Sequence, residues 1–470
     1  MTPDEFRRAG HALIDWIADY RSRMETLPVM SQVKPGEIRA RFSKEPPQEG
    51  APLEQLLAPL ERDVLPGITH WNHPRFFAYF PGNATLAGVL ADLTAAGLGP
   101  QGMSWQTSPA ATELEEVVLD WLRQMVGLPD AFTGVIQDTA STATLVALLC
   151  ARERSTDYGQ TRGGLQEVKT PLAVYASDQA HSSVEKAALL AGFGRACVRA
   201  IETDADHAMR VDALAAAVQD DAAHGLKPCA VVATCGSTAT TAMDPIARIA
   251  EVAKKAGAWL HVDAAMAGSA MIVPECRALW QGVEAADSLV FNPHKWLGTG
   301  MECSTYYVRD PQHLVRVMST NPSYLRTAHE GEVKNFRDWG IQLGRRFRAL
   351  KLWFLIHEQG VKGLQARIRR DLEHAQWLKA QVDATKDWER VAPVQLQTVC
   401  VRHLLPGRDG TAVDVHNQSI AQRVNASGVA YVTPAVLKGQ QMIRVSIGAE
   451  GTRREHVEQV WAALQQAARA

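Results

Sequence analysis

The chain has 470 residues and a formal net charge of −2, from 49 basic and 51 acidic side chains. Because the charges are interspersed, the sequence argues against nucleic acid or an anionic membrane surface as the main partner. The length exceeds what one hydrophobic core usually supports, so we expect one large domain with smaller ones. Its 7 cysteines are scattered without a C-x-x-C pair, which favours a cytoplasmic protein with neither disulfides nor a zinc site.

Residues 1–80 are predicted to form a helical arm that contains a proline-rich connection. The first segment carries charges throughout and has no apolar signal core. No apolar run in the chain is long enough to cross a bilayer. The apolar residues of the first helix fall on one face, namely Phe6, Leu13, Ile14 and Ile17. That face needs a cover, which either the same chain or a partner subunit supplies.

Residues 81–350 alternate short apolar strands with amphipathic helices, which predicts a mainly parallel sheet covered on both faces. The predicted strands are LAVYAS (172–177), ACVRAI (196–201), CAVVATCG (229–236), AWLHVDA (258–264), SLVFNP (288–293) and CSTYYV (303–308). In such sheets ligands bind beyond the carboxyl ends of the strands. Candidate chemistry is therefore sought at those ends.

Residues 351–470 have a different pattern. Long helical segments precede two predicted strands, TVCVRHL and IRVSIG, and a closing helix. This order predicts a small α+β domain.

A lysine and an aspartate follow two of the predicted strands. Lys295 comes after SLVFNP, and Asp263 comes at the end of AWLHVDA. A lysine in a partly dry site loses its proton more readily. Its neutral amine can then form a Schiff base with an aldehyde. A buried carboxylate can keep a pyridinium nitrogen protonated. Taken singly, Lys295 is better explained as a surface lysine and Asp263 as a helix cap.

A helix start and a histidine complete the set. Thr139, Ala140 and Ser141 begin a helix, where backbone N–H groups suit a phosphate, although plain N-capping explains them equally well. His181 follows LAVYAS and can stack on a flat ring, although a capping histidine is the simpler reading. Together with the lysine and the aspartate, these features describe one ligand, pyridoxal 5′-phosphate (PLP).

The sequence resembles the PLP-dependent group II decarboxylases, in particular the aromatic-L-amino-acid decarboxylase branch. The motifs that carry the resemblance run along nearly the whole chain: HWNHPRFFAYFPGN (70–83), SWQTSPAATELE (104–115), QDTASTATLVAL (137–148), YASDQAHSSVEKA (175–187), ATCGSTATTAMDP (233–245), HVDAAMAGSA (261–270), FNPHKW (291–296) and LGRRFRALKLWF (343–354). The resemblance implies a fold type I PLP enzyme, similar to aspartate aminotransferase, whose active site lies at a homodimer interface.

The resemblance also assigns roles to residues of this chain. The catalytic residues it implies are Lys295, His181, Asp263 and Tyr324, the last on a loop that covers the site. The implied cofactor contacts are Thr139, Ala140, Ser141, His181, Thr238, Asp263, Ala265, Asn292, His294 and Lys295. The implied substrate contacts are Trp71, Tyr79, Phe80, Pro81, Gly82, Gln101, Met103 and His181, of which Gln101 and Met103 come from the second subunit.

The implied reaction converts an aromatic L-amino acid, such as tryptophan, phenylalanine, tyrosine or dihydroxyphenylalanine, to its amine and CO₂. The alternatives are an aromatic aldehyde synthase and a decarboxylase of a non-aromatic amino acid. Gly82 stands where animal enzymes acting on dihydroxyphenylalanine carry threonine, which leaves room for larger rings. Asp138 and Thr142 stand where the family commonly has glycine and glutamate, so that a carboxylate lies near the expected phosphate site.

Overall fold

The computed structural model describes residues 1–320, 329 and 331–469. They form two compact units. The first contains Met1–Pro81, Trp377–Val391 and Cys400–Ala470, and the second contains Gly82–Gln376 and Ala392–Val399. The three-part division at residues 80 and 350 stays a prediction.

The secondary structure alternates between strands and helices along most of the chain. The strands are β1 (Phe76–Phe77), β2 (Thr133–Gln137), β3 (Leu172–Ser177), β4 (Val198–Ile201), β5 (Lys227–Thr234), β6 (Trp259–Asp263), β7 (Ser288–Phe291), β8 (Ser304–Val308), β9 (Trp388–Arg390), β10 (Thr398–His403), β11 (Tyr431–Leu437) and β12 (Gln440–Ser446). The helices are α1 (Pro3–Ser22), α2 (Leu57–Pro59), α3 (Leu86–Leu98), α4 (Pro109–Val126), α5 (Ala140–Ser155), α6 (Ser182–Leu190), α7 (Val211–Ala223), α8 (Ile246–Ala256), α9 (Pro311–Met318), α10 (Ala349–Ala384), α11 (Gly410–Ala426) and α12 (Arg454–Arg469). None of the helices in the described residues is both long and apolar enough to cross a membrane.

The second unit is built on a seven-stranded sheet in the order β2-β8-β7-β6-β5-β3-β4. Neighbouring strands from β7 to β4 are parallel, and β8 runs antiparallel to both β2 and β7. The central strands are buried along their whole length, as expected of a sheet that is covered on both faces. This confirms the mainly parallel α/β sheet predicted from the sequence.

Helix α5 packs on this sheet through small side chains. Ala143, Ala147 and Ala151 lie about one turn apart and are fully buried. Because alanine adds little bulk, the helix axis can lie close to the strands. The close packing fixes where the start of α5 lies relative to the strand ends.

The sequence predicted some strands poorly. It missed β2, and it began the strand at 196 whereas residues Arg195–Cys197 form a 3₁₀ turn before β4. It also predicted only two strands of the second sheet, which has five strands among the described residues, in the order β1-β11-β12-β10-β9. Strands β1 and β9 are very short, and β11 contains Pro434, so neither length nor composition marks them as strands.

Helix α10 covers two helices that the sequence predicts separately, LGRRFRALKLWFLIHEQG (343–360) and LQARIRRDLEHAQWLKAQV (364–382). The structure begins the first at Ala349 instead of residue 343, and it breaks the helix at Gly360, with φ 63° and ψ 167°, where the first predicted helix ends. Since only glycine adopts these angles without strain, the break belongs to that residue.

Gly268 lies at a point where the second unit is tightly packed against the end of β7. A Cβ atom at this position would overlap with Cβ of Phe291, the last residue of β7. We expect Gly268→Ala to lower the free energy of unfolding by about 1–3 kcal/mol, because this crowding forces the strand end to shift. Urea unfolding measures the change. Gly363→Ala in α10 is the control, since its nearest neighbour would lie 3.5 Å away, and equal effects of both substitutions would contradict the packing argument.

Candidate active site

Four functional segments meet at one edge of the seven-stranded sheet. Strands β2, β3, β5, β6 and β7 all run in the same direction, so their carboxyl ends share that edge. Thr139, His181 and Lys295 follow β2, β3 and β7, and Asp263 ends β6. The topology therefore gathers the four residues at one edge, although they are far apart in the sequence.

Lys295 lies in an unusual turn. Residues Pro293–Leu297 form a single π-helical turn that ends at Gly298, whose N–H donates to the Pro293 carbonyl at 2.8 Å. Such turns are rare and occur often at functional sites. Burial lowers the pKa of Lys295, and the nearby charge of Asp263 acts in the opposite direction. The amine is thus more readily neutral than an exposed lysine.

Asp263 has its carboxylate within the site. It is 5% exposed, and its Oδ1 accepts the Ala265 N–H at 3.0 Å. Its negative charge acts to raise the pKa of both His181 and Lys295, which places all three groups within electrostatic range. The carbonyl of Ala265 accepts the Asn292 N–H at 2.9 Å and joins this turn to the end of β7.

His181 is the N-cap of α6. Its Nδ1 accepts the Ser183 N–H at 3.2 Å and is 2.7 Å from the Ser183 hydroxyl. Since Nδ1 accepts, the ring proton of the neutral imidazole is on Nε2. Burial lowers the pKa of His181, which favours this neutral form. Capping therefore fixes the ring and does not exclude a second role for it.

The segments after β2 and β7 supply polar groups beside the lysine. Thr139 is the N-cap of α5, so the N–H groups of Ala140 and Ser141 have no partner inside the helix. Asn292 Oδ1 accepts the Ser304 hydroxyl at 2.6 Å. His294 Nδ1 accepts the Cys303 N–H at 3.1 Å, and burial, followed by the Lys295 charge, lowers the pKa of His294 to about 4. Thr238 follows β5 and is exposed.

Gln101 is held by its own chain. Its Oε1 accepts the backbone N–H of Arg345 at 2.7 Å, while the Arg345 guanidinium binds Glu115 at 2.7 Å. Met103 is partly buried, and its carbonyl accepts the Arg337 N–H at 2.9 Å. The side-chain oxygen of Gln101 therefore already has a hydrogen-bond donor in its own chain.

The aromatic candidates belong to the first unit. Trp71 and Tyr79 stack with centroids 5.6 Å apart and planes 14° apart, and they are 41% and 48% exposed. Tyr79 has a positive φ of 49°, and its backbone is held by the Thr433 hydroxyl and by Arg444. Arg444 also lies 5.1 Å above the ring of Phe80. Pro81 is the last residue of this unit, and Gly82 begins the second.

Two residues near the lysine were missed from the sequence. Asn83 is fully buried, and its side-chain amide donates to the Lys295 carbonyl at 3.4 Å. Asp371 is also fully buried and accepts the Trp296 Nε1–H at 2.8 Å. Asn83 is the last residue of the motif HWNHPRFFAYFPGN, whereas Asp371 lies in none of the quoted motifs. Neither contact could be read from the sequence, because each joins distant parts of the chain. Tyr324 lies outside the described residues.

Comparison with known proteins identifies the family of the chain and the cofactor that fits this sheet edge. Residues 35–404 match the pyridoxal-dependent decarboxylase conserved domain. The chain belongs to the pyridoxal-dependent decarboxylases. A crystal structure of Oryza sativa TDC with PLP and tryptamine has a TM-score of 0.96 and 38% identity, covering 100% of this chain and 98% of that one. The fold type I architecture and the cofactor PLP, both predicted from the sequence, are thereby confirmed.

Two curated relatives of this decarboxylase bear on its substrate and product. Aromatic-L-amino-acid decarboxylase of Sus scrofa is 40% identical over 477 residues, which cover 98% of this chain and 96% of that protein. Phenylacetaldehyde synthase of Arabidopsis thaliana is 39% identical over 479 residues, which cover 100% of this chain and 96% of that protein. The similarity therefore extends over whole chains.

The donor set of the decarboxylase fits PLP. A partly buried lysine amine suits the aldehyde, a buried carboxylate suits the ring nitrogen, and a helix start suits the phosphate. The three groups stand at one edge of one sheet, as a single ligand requires.

His261 makes stability depend on pH. It is fully buried beneath the site, its Nδ1 lies 2.9 Å from the Ser288 hydroxyl, and burial lowers its pKa from 6.5 to about 4. Between these values the unfolded chain binds a proton that the folded chain does not, so stability falls as the pH falls. His261 contributes at most about 1.4 kcal/mol per pH unit to this fall.

We expect His261→Gln to flatten the loss of thermal stability between about pH 6.5 and pH 5. Scanning calorimetry at several pH values measures it. His11→Gln, at an exposed position, is the matched control and should leave the slope unchanged. An equally steep loss in His261→Gln would contradict the assignment.

Proposed function

We propose that this protein converts an aromatic L-amino acid to the corresponding amine and CO₂. The observation that carries the proposal is the meeting of Lys295, Asp263 and the α5 start at one sheet edge of a pyridoxal-dependent decarboxylase. The aromatic preference is supported by the named relatives.

Each residue at the edge has a distinct task in this proposal. Lys295 holds the cofactor's aldehyde carbon, and its neutral amine is favoured by burial. Asp263 holds a proton on the ring nitrogen, and the neutral His181 ring covers one face of the site. When bound, PLP supplies the electron sink that accepts the electron pair released as CO₂ leaves.

The phosphate and the returning proton are assigned to other residues. The N–H groups of Ala140 and Ser141, with Asn292 and His294 beside them, hold the phosphate. Thr238 and Ala265 line the ring. Tyr324 returns a proton to the substrate Cα as general acid.

The substrate pocket is assigned to aromatic and small residues. Trp71 and Tyr79 present stacked, half-exposed rings, which suit an aromatic side chain, with Phe80 and Pro81 beside them in the sequence. Gly82 adds no side chain, which favours larger rings such as the indole of tryptophan. Gln101 and Met103 are assigned to the pocket of the partner subunit.

The expected reaction is tested with purified holoenzyme and a panel of tryptophan, phenylalanine, tyrosine, dihydroxyphenylalanine and glutamate, following CO₂, amine and peroxide together. We expect equal amounts of CO₂ and aromatic amine. Lys295→Ala should lower the rate at least about a thousandfold and remove the visible absorbance band of the bound cofactor. Lys362→Ala, an exposed lysine on α10, is the matched control. Peroxide with little amine would assign an aldehyde synthase instead, and preference for glutamate would refute the aromatic assignment.

We further propose that the protein is a homodimer in a reducing, cytoplasmic compartment. Helix α3 exposes four leucines along its length, Leu86, Leu90, Leu93 and Leu98, at 50%, 46%, 48% and 68%. Helix α1 has no buried residue and exposes Phe6, Leu13 and Ile14. Apolar helix faces of this size are usually covered, and a second copy of the chain is the proposed cover. All 7 cysteines are free, which fits a reducing compartment.

The dimer is tested by charging the α3 face. We expect the double variant Leu90→Asp, Leu93→Asp to sediment as one chain of 51.4 kDa, whereas the unmodified protein sediments at twice that mass. Leu190→Asp at the end of α6, which is 68% exposed, is the control and should remain dimeric. A dimeric α3 variant, or a monomeric unmodified protein, would contradict the proposal.

A further inference from the structure

The start of α5 differs from the usual arrangement around an N-cap threonine. In a capping box, the N-cap threonine accepts the N–H three residues later, and a glutamate there accepts the N–H of the N-cap in return. Helix α1 of this chain has the complete box. Thr2 accepts the Glu5 N–H at 3.2 Å, and Glu5 accepts the Thr2 N–H at 2.7 Å.

Helix α5 has only half of this box. Thr139 Oγ1 accepts the Thr142 N–H at 3.4 Å, but position 142 is threonine and cannot return the bond as glutamate does. The N–H of Thr139 instead donates a hydrogen bond to the preceding residue. Asp138 Oδ1 accepts it at 2.7 Å, the same distance as in the α1 box.

The other oxygen of Asp138 is also engaged. Gln342 donates from Nε2 to Asp138 Oδ2 at 3.4 Å, so that the two carboxylate oxygens have different partners. The Ser304 hydroxyl donates to Asn292 Oδ1 at 2.6 Å and lies 3.4 Å from the Asp138 carbonyl oxygen. The side chain and the backbone of Asp138 are thus both fixed at the edge where the phosphate is assigned.

This arrangement divides the four donors at the start of α5. A helix leaves its first four N–H groups without a partner inside the helix. Here the N–H groups of Thr139 and Thr142 are satisfied by Asp138 and by Thr139 Oγ1. The two that remain belong to Ala140 and Ser141, which lie side by side and are assigned to the phosphate.

We propose that Asp138 is a positioning residue for PLP, which replaces the missing glutamate of the capping box and thereby aims the Ala140 and Ser141 N–H groups at the phosphate. The inference rests on the proposed phosphate site. In this arrangement, a carboxylate beside the phosphate site strengthens cofactor binding. Simple repulsion between the two anions predicts the opposite sign.

The experiment is a titration of apoenzyme with PLP and, separately, with pyridoxal, which lacks the phosphate. Asp138→Gly should raise the Kd for PLP roughly tenfold, as expected for the loss of a cap, and leave the Kd for pyridoxal unchanged. Adding Thr142→Glu to Asp138→Gly restores the box with the same net charge as the original chain. This double variant should return the Kd for PLP to within about twofold. Asp138→Asn keeps an oxygen acceptor without the charge and should bind PLP almost as the unmodified protein does.

A matched control separates cofactor affinity from stability. Asp409 is the N-cap of α11 and accepts the Ala412 N–H at 2.8 Å. Asp409→Gly should lower the melting temperature and leave the Kd for PLP unchanged. Hydrogen exchange of the α5 start in the apoenzyme gives a second readout, which should rise in Asp138→Gly and return to normal in the double variant.

Tighter or unchanged PLP binding in Asp138→Gly, or no recovery on adding Thr142→Glu, would show that Asp138 does not position the helix start. Failure of the unmodified protein to bind PLP through Lys295 would refute the proposed function itself. If the unmodified protein binds PLP and the variants do not differ, only the role of Asp138 falls.

Discussion

The whole site depends on keeping a lysine amine and a carboxylate together in a partly dry place. Burial opposes the cation of Lys295, and the charge of Asp263 supports it, so that the two influences on the lysine pKa have opposite signs. Burial is the larger of the two, and the amine is therefore closer to its neutral, nucleophilic form. If Asp263 were absent, the lysine would lose its counter-charge, and if the site were wet, it would lose its reactivity.

The sheet topology makes this pairing possible. Lys295 and Asp263 are brought together because β6 and β7 are parallel neighbours, with Asp263 opposite Val290. The π-helical turn then places the lysine one short step beyond the end of β7. The turn is held from several sides, since Asn83 binds the Lys295 carbonyl and Thr85 donates its N–H to the Gly298 carbonyl at 3.1 Å.

The sequence could predict the residues that come directly after apolar strands, and it could not predict those that reach the site from elsewhere. Lys295, Asp263 and His181 follow continuous apolar runs, and parallel strands bring such ends together. Asn83 and Asp371 contact the lysine turn across large sequence separations, and no local pattern reports such contacts. The contact between Asp138 and Gln342 could not be predicted for the same reason, since the two residues are 204 positions apart. The five-stranded sheet was underestimated because β1 and β9 are too short to form a visible period.

Asp371 helps to hold the turn that carries Lys295. Its carboxylate is fully buried, and burial raises its pKa, although the Arg370 charge and the Trp296 Nε1–H both act to lower it. A buried carboxylate is costly unless its oxygens are satisfied, and here Trp296 serves one and Arg370 the other, at 2.8 Å and 2.9 Å. An apolar residue at this position would avoid the cost but would leave the buried indole N–H without its acceptor. Because Trp296 is the next residue after Lys295, fixing its ring also fixes the backbone from which the reactive amine extends.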